Sequence, residues 1–186
     1  MQNGIESILK KNPLIPVVTI NEMSEIDTIA DKLTSQGVNC IEITLRTPIA
    51  WDAIREFQQR YGSSFDVGVG TIVSVEDIEK AVEAQVDFIV SPGCSPGMVS
   101  ALNGCGIPFL PGIVTPSEII TGLEAGWRFF KFFPANLYGG IDTLKAYGQL
   151  FSEAKFCPTG GITNDNKESF LALDNVVSVG GSWMTK

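Results

Sequence analysis

Lys131 stands among rings in the run Phe129-Phe130-Lys131-Phe132-Phe133-Pro134, a setting that charged side chains avoid. As a strand, the run sends Phe129, Lys131 and Phe133 to one face and Phe130 and Phe132 to the other. An ordinary lysine holds only about one amine in a thousand unprotonated near neutral pH. Loss of hydration among aromatic rings favours the neutral amine, which attacks ketones. The competing reading is a strand-end lysine that reaches water along its aliphatic stem or pairs with a carboxylate.

A carboxylate is at hand in Cys40-Ile41-Glu42-Ile43-Thr44-Leu45-Arg46. Alternation sets Glu42 and Thr44 opposite Ile41, Ile43 and Leu45. Facing Lys131, Glu42 would either move protons for imine chemistry or serve as a plain ion-pair partner. Arg46 and Thr47 follow at the strand end. There a guanidinium either binds a substrate carboxylate through two parallel hydrogen bonds or is an exposed loop arginine. Gly68-Val69-Gly70-Thr71 would let a ligand approach the backbone beside the Thr71 hydroxyl. Ser91-Pro92-Gly93 and Pro111-Gly112 read equally well as ordinary turns. Pro158-Thr159-Gly160-Gly161 and Gly180-Gly181-Ser182 place paired glycines, with their amide donors, at two late strand ends. That is where phosphate sites of (β/α)₈ barrels often lie.

The elements that must position these residues are short β-branched or aromatic runs alternating with amphipathic stretches. Strands are expected over 14–20, 40–45, 66–70, 88–91, 108–112, 129–133, 155–158 and 176–180. Between them lie helical stripes such as Ile26, Ile29, Ala30 and Leu33, or Ile78, Ala81 and Val82. Helix starts are marked by Thr115-Pro116-Ser117-Glu118, a capping box with proline at the first helical position, and by Ser74 ahead of Glu76 and Asp77. About eight strands in βα alternation predict an α/β fold, a (β/α)₈ TIM barrel forming one domain over 1–186. A doubly wound open sheet is the alternative. It is disfavoured because no Gly-x-Gly-x-x-Gly follows the first strand and the polar strand ends are spread over many strands. Ile5, Ile8 and Leu9 predict a short extra N-terminal helix covering the barrel bottom. After Gly180-Gly181-Ser182 the chain runs only to Lys186, which leaves no room for a final C-terminal helix and suggests truncation.

The formal net charge of −8 and pI of about 4.5 give no footprint for nucleic acid or an anionic membrane. No apolar run approaches the roughly 18 residues of a membrane span. Four scattered cysteines, with no Cys-x-x-Cys spacing and no signal-peptide pattern, suit reduced thiols in the cytoplasm. Histidine is absent. Carboxylates and the lysine must therefore carry proton chemistry, and a zinc site is not expected, although composition alone leaves magnesium open.

Seven motifs in order, Glu42-Ile43-Thr44-Leu45-Arg46-Thr47, Gly68-Val69-Gly70-Thr71, Ser91-Pro92-Gly93, Pro111-Gly112-Ile113, Phe130-Lys131-Phe132-Phe133-Pro134-Ala135, Pro158-Thr159-Gly160-Gly161-Ile162 and Val179-Gly180-Gly181-Ser182, closely resemble the 2-keto-3-deoxy-6-phosphogluconate (KDPG) / 4-hydroxy-2-oxoglutarate (KHG) aldolase family. The resemblance implies a class I lyase of the Entner–Doudoroff pathway, needing no cofactor or metal, in which Lys131 forms a Schiff base and Glu42 is the acid/base. It implies that Arg46 and Thr71 bind the substrate carboxylate and that Gly160, Gly161, Gly181 and Ser182 lie at the phosphate. Pro92, Phe133 and Thr159 line the site in this reading, and the assembly is a homotrimer. The implied products are pyruvate with glyceraldehyde 3-phosphate, or with glyoxylate from KHG. Alternatives are an aldolase for the phosphogalactonate epimer, an isomerase using Glu42 without a covalent step, and a noncatalytic metabolite-binding barrel.

Overall fold

The computed structural model describes Gln2 and residues 4–186. After helix α1 (Ile5–Lys11) the chain alternates parallel strands with helices. The strands are β1 (Leu14–Val18), β2 (Cys40–Thr44), β3 (Asp66–Gly70), β4 (Phe88–Val90), β5 (Phe109–Leu110), β6 (Gly112–Ile113), β7 (Phe129–Phe132), β8 (Lys155–Pro158) and β9 (Val179–Gly181). The helices between them are α2 (Glu25–Ser35), α3 (Ala50–Tyr61), α4 (Val75–Glu83), α5 (Pro96–Gly104), α6 (Pro116–Glu124), α7 (Gly140–Leu150) and α8 (Lys167–Leu171). One parallel sheet has the order β5-β4-β3-β2-β1-β9 and a second the order β6-β7-β8. Isolated parallel bridges, Phe156 to Val176 and Thr159 to Gly180, run between the end strands of the two sheets.

Period-two alternation sorts the side chains into two cores. Ile41, Ile43, Val67, Val69, Ile89, Phe130, Phe132 and Phe156 face the helices, together with Ile26, Ala30, Leu33, Ile54 and Phe57 from α2 and α3. The opposite strand face carries Ile15, Cys40, Phe88, Val90, Leu110 and Cys157, and Ile5 and Leu9 of α1 pack into that second cluster. The expected N-terminal helix thus closes one end of the inner face, with both residues fully buried. Gln2 adds polar contacts there. Its side chain donates to Phe129 O at 2.6 Å and accepts from Phe129 N at 2.9 Å, so backbone groups at the start of β7 are paired.

Several boundaries differ from the sequence expectation. The first two strands end earlier, at Val18 and Thr44, and the last comprises Val179–Gly181, with Val176 outside it and joined to Phe156 by an isolated bridge. The fifth strand is divided at Pro111, which has no N–H to extend the ladder. Leu110 pairs with β4, whereas Gly112 pairs with Lys131 of β7. Val82 is exposed, not part of the buried stripe of α4. Gln85 takes φ of 53°, and Val86 N–H then bonds Ala81 O at 3.4 Å, so Val86 beyond the cap fills the core position. The capping box expected at Thr115 forms with Glu118, and the helix start expected at Ser74 proves to be a second capping box, with Asp77.

Candidate active site

Strands β2 and β7 carry their charged residues to the same inner face. Lys131 Nζ lies 3.0 Å from Glu42 Oε1, and the two side chains are 6% and 3% exposed. Such enclosure is costly for two charges unless they are paired, which the contact provides. Phe133 adds its ring, 5.2 Å from Nζ, within cation–π range.

Glu42 fits because of what stands on β3. A Cβ at residue 70 would collide with Glu42 Oε1, and one at residue 68 would collide with the Phe88 ring. These glycines therefore accommodate the protein's own side chains, whereas the sequence suggested room for a ligand. Gly112 is similarly required, since a Cβ there would run into the Pro92 carbonyl. Ser91 Oγ accepts from Gly112 N–H at 3.3 Å, fixing the end of β4 against β6. The Ser91-Pro92-Gly93 and Pro111-Gly112 segments are thus mutually packed.

A cavity of about 440 Å³ opens beside the ion pair. Lys131, Arg46, Phe133, Thr159, Gly160, Gly161, Gly181 and Ser182 line it, so eight of the expected site residues gather in one place. Glu42 joins them through Lys131. Thr71 and Pro92 are not among the residues lining this cavity; they follow β3 and β4. Thr71 has φ of 66°, an unusual conformation for a β-branched residue, immediately after the glycine that faces Glu42. Arg46 is held at the rim because Thr47 Oγ1 donates to Ile20 O at 2.8 Å, tying the loop after β2 to the end of β1. Gly160 and Gly161 have φ of 99° and 71°, backbone that favours glycine. Gly180 leaves room for Thr159 Oγ1 and Gly181 for the Trp183 ring. Close packing explains Gly180 and Gly181.

Sequence reasoning missed Val17, Thr19, Ile162 and Thr185, which also line the cavity. Val17 and Thr19 were legible in principle, because they alternate with the core residues Val18 and Ile20. Cys157, paired in register with Lys131, is buried, and desolvation raises its thiol pKa to about 11. It remains a neutral neighbour of the amine. Among the described residues, no three His, Cys, Asp or Glu side chains gather as metal ligands would.

Residues 5–186 match the family described as KDPG and KHG aldolase. The chain belongs to that family. An Escherichia coli K12 protein named KHG/KDPG aldolase is 39% identical over 183 residues, covering 98% of this chain and 85% of the relative. Two solved aldolases have the same arrangement of elements. The KDPG aldolase of Legionella pneumophila, holding pyruvate as a covalent carbinolamine intermediate, is 37% identical with a TM-score of 0.94, covering 98% of this chain and 88% of that one. The Zymomonas mobilis ZM4 aldolase with 3-phosphoglycerate is 34% identical with a TM-score of 0.93, covering 98% and 87%. In this aldolase, then, the buried lysine and the glycine-lined cavity form the natural candidate for the reacting centre.

Proposed function

We propose that this family member is a class I aldolase that cleaves 2-keto-3-deoxy-6-phosphogluconate to pyruvate and glyceraldehyde 3-phosphate, and 4-hydroxy-2-oxoglutarate to pyruvate and glyoxylate. The observation that carries this reading is the buried 3.0 Å contact between Lys131 Nζ and Glu42 Oε1 beside a cavity rimmed by Arg46. A proton passing along that contact leaves a neutral amine and a carboxylic acid, each ready for the first step. The Lys131 nitrogen adds to the C2 ketone, whose oxygen takes up a proton to give a carbinolamine. Protonation of that hydroxyl by Glu42 expels water and forms an iminium.

The iminium is the electron sink. Glu42, or a water it orients, removes the C4 hydroxyl proton, and the C3–C4 bonding pair moves into the iminium. The aldehyde leaves and a lysine-bound enamine remains. Protonation at C3 and addition of water then release pyruvate and restore the amine. Because the iminium stabilises the developing carbanion, the sequence of steps needs no metal. Arg46 and Thr71 bind the substrate carboxylate in this reading, with the strained Thr71 backbone as support for a working role. Gly160, Gly161, Gly181 and Ser182 hold the phosphate, while Pro92, Phe133 and Thr159 shape the site.

In the same proposal, the two sheets form one closed (β/α)₈ barrel domain over 1–186. The bridge from Thr159 to Gly180 and the continuous chain through Pro111 support that closure. The protein works in the cytoplasm, consistent with four free cysteines, and assembles as a homotrimer, for which exposed Val73, Leu137 and Tyr138 supply apolar surface. The test is pyruvate release from KDPG and from KHG, measured for wild type and Lys131→Met. Release by wild type and its loss in the variant support the reading; undiminished release by Lys131→Met overturns it.

A further inference from the structure

We propose that Thr19 recognises the C5 hydroxyl of the substrate as a hydrogen-bond acceptor, and so favours polyhydroxylated acceptor aldehydes. This inference rests on the aldolase reading above. Thr19 Oγ1 lies 2.8 Å from Thr44 Oγ1, and Thr44 Oγ1 donates to Val18 O at 3.1 Å. A carbonyl only accepts, and a threonine hydroxyl has a single proton. Both contacts are hydrogen bonds when Thr44 gives its proton to Val18 O and Thr19 gives its proton to Thr44. Thr44 is 1% exposed, so water does not compete for its side of the relay.

Thr19 is half-buried and lines the same cavity as Lys131. With its proton committed to Thr44, it presents only lone pairs to a ligand. A hydroxyl group satisfies those lone pairs, and a carboxylate or phosphate oxygen does not. The strand order places the partner along the substrate. β1 lies between β2, which bears Glu42, and β9, which leads to Gly181 and Ser182. The C4 hydroxyl reacts at Glu42 and the C6 phosphate lies toward Ser182, so the C5 hydroxyl falls between them, opposite Thr19. Val17, the neighbouring cavity residue on β1, offers no polar alternative.

The test is aldol addition of pyruvate to D-glyceraldehyde 3-phosphate and to 3-oxopropyl phosphate, which lacks the corresponding hydroxyl. The quantity read is the ratio of the two kcat/KM values. Thr19→Val, nearly isosteric, is expected to lower that ratio by about tenfold, the upper range for one neutral hydrogen bond. Thr19→Ser is expected to preserve it. Thr19→Ala, which removes the hydroxyl without added bulk, gives the same readout if the valine variant does not fold. An unchanged ratio in the folded variants that lack the hydroxyl overturns the assignment while the aldolase reading stands. Failure of wild type to use either aldehyde overturns both.

Discussion

Gly70→Ala is expected to damage chemistry more than folding. The added Cβ would lie 2.7 Å from both Cγ and Cδ of Glu42, besides colliding with Oε1. Non-bonded carbons settle at about 3.5–4.0 Å, so the carboxyl group must retreat by about 1 Å. A shift of that size is enough to break the 3.0 Å contact to Lys131 Nζ. A misplacement of about 1 Å can cost a factor of about a hundred in rate, and overpacking of this kind costs about 1–3 kcal/mol of stability. The assay is steady-state pyruvate release with thermal unfolding measured on the same preparations. We expect kcat to fall by about a hundredfold, with KM affected less. Gly68→Ala is the comparison, because the atoms nearest its Cβ belong to the Phe88 ring, whereas those nearest the Gly70 Cβ belong to Glu42. It should lose stability with a much smaller effect on kcat. A folded Gly70→Ala protein with wild-type kcat would refute the claim that Gly70 sets the position of Glu42.

Lys131→Met leaves Glu42 buried without its partner and should destabilise the fold by about 3–5 kcal/mol, measured by denaturant unfolding. The double variant Lys131→Met with Glu42→Gln should recover much of that loss without recovering activity, since no buried charge remains. Burial raises the thiol pKa values of Cys94 and Cys157 to about 11 and also raises that of Cys40. Because the folded state retains these protons, their contribution to stability is fully present below the unfolded thiol value of about 8.5 and declines as pH rises above it. Unfolding midpoints between pH 8 and pH 10 should therefore fall less in a Cys40→Ala/Cys94→Ala/Cys157→Ala variant than in wild type. Equal pH slopes would contradict the assignment to these thiols.

The parts of the site legible in sequence were those governed by alternation. The run around Lys131 and the Ile41-Glu42-Ile43 pattern each specify which side chain faces inward, and a parallel βα order brings β2 and β7 to a shared interior. The purpose of Gly68 and Gly70 was not legible, because a missing side chain does not reveal whether a ligand or a neighbour fills its space. Phe88 and Glu42 come from other strands, and only register brings them there. The break at Pro111 was likewise hidden. A short apolar run gives no sign that Leu110 and Gly112 pair with different sheets. Thr19 reads in isolation as a strand-forming residue. Its relay through Thr44 to Val18 O appears only when adjacent strands are aligned. The extra helix was easier, since Ile5 and Leu9 are spaced for one buried face.

In the proposed mechanism Lys131 forms an imine with a 2-oxo acid. Borohydride reduction in the presence of pyruvate, followed by peptide mass spectrometry, tests it most directly because reduction converts that imine into a stable secondary amine. A pyruvyl-derived adduct on Lys131, absent when pyruvate or borohydride is omitted, is the expected result. Folded, catalytically active protein with no adduct, or with the adduct on another lysine, would contradict it.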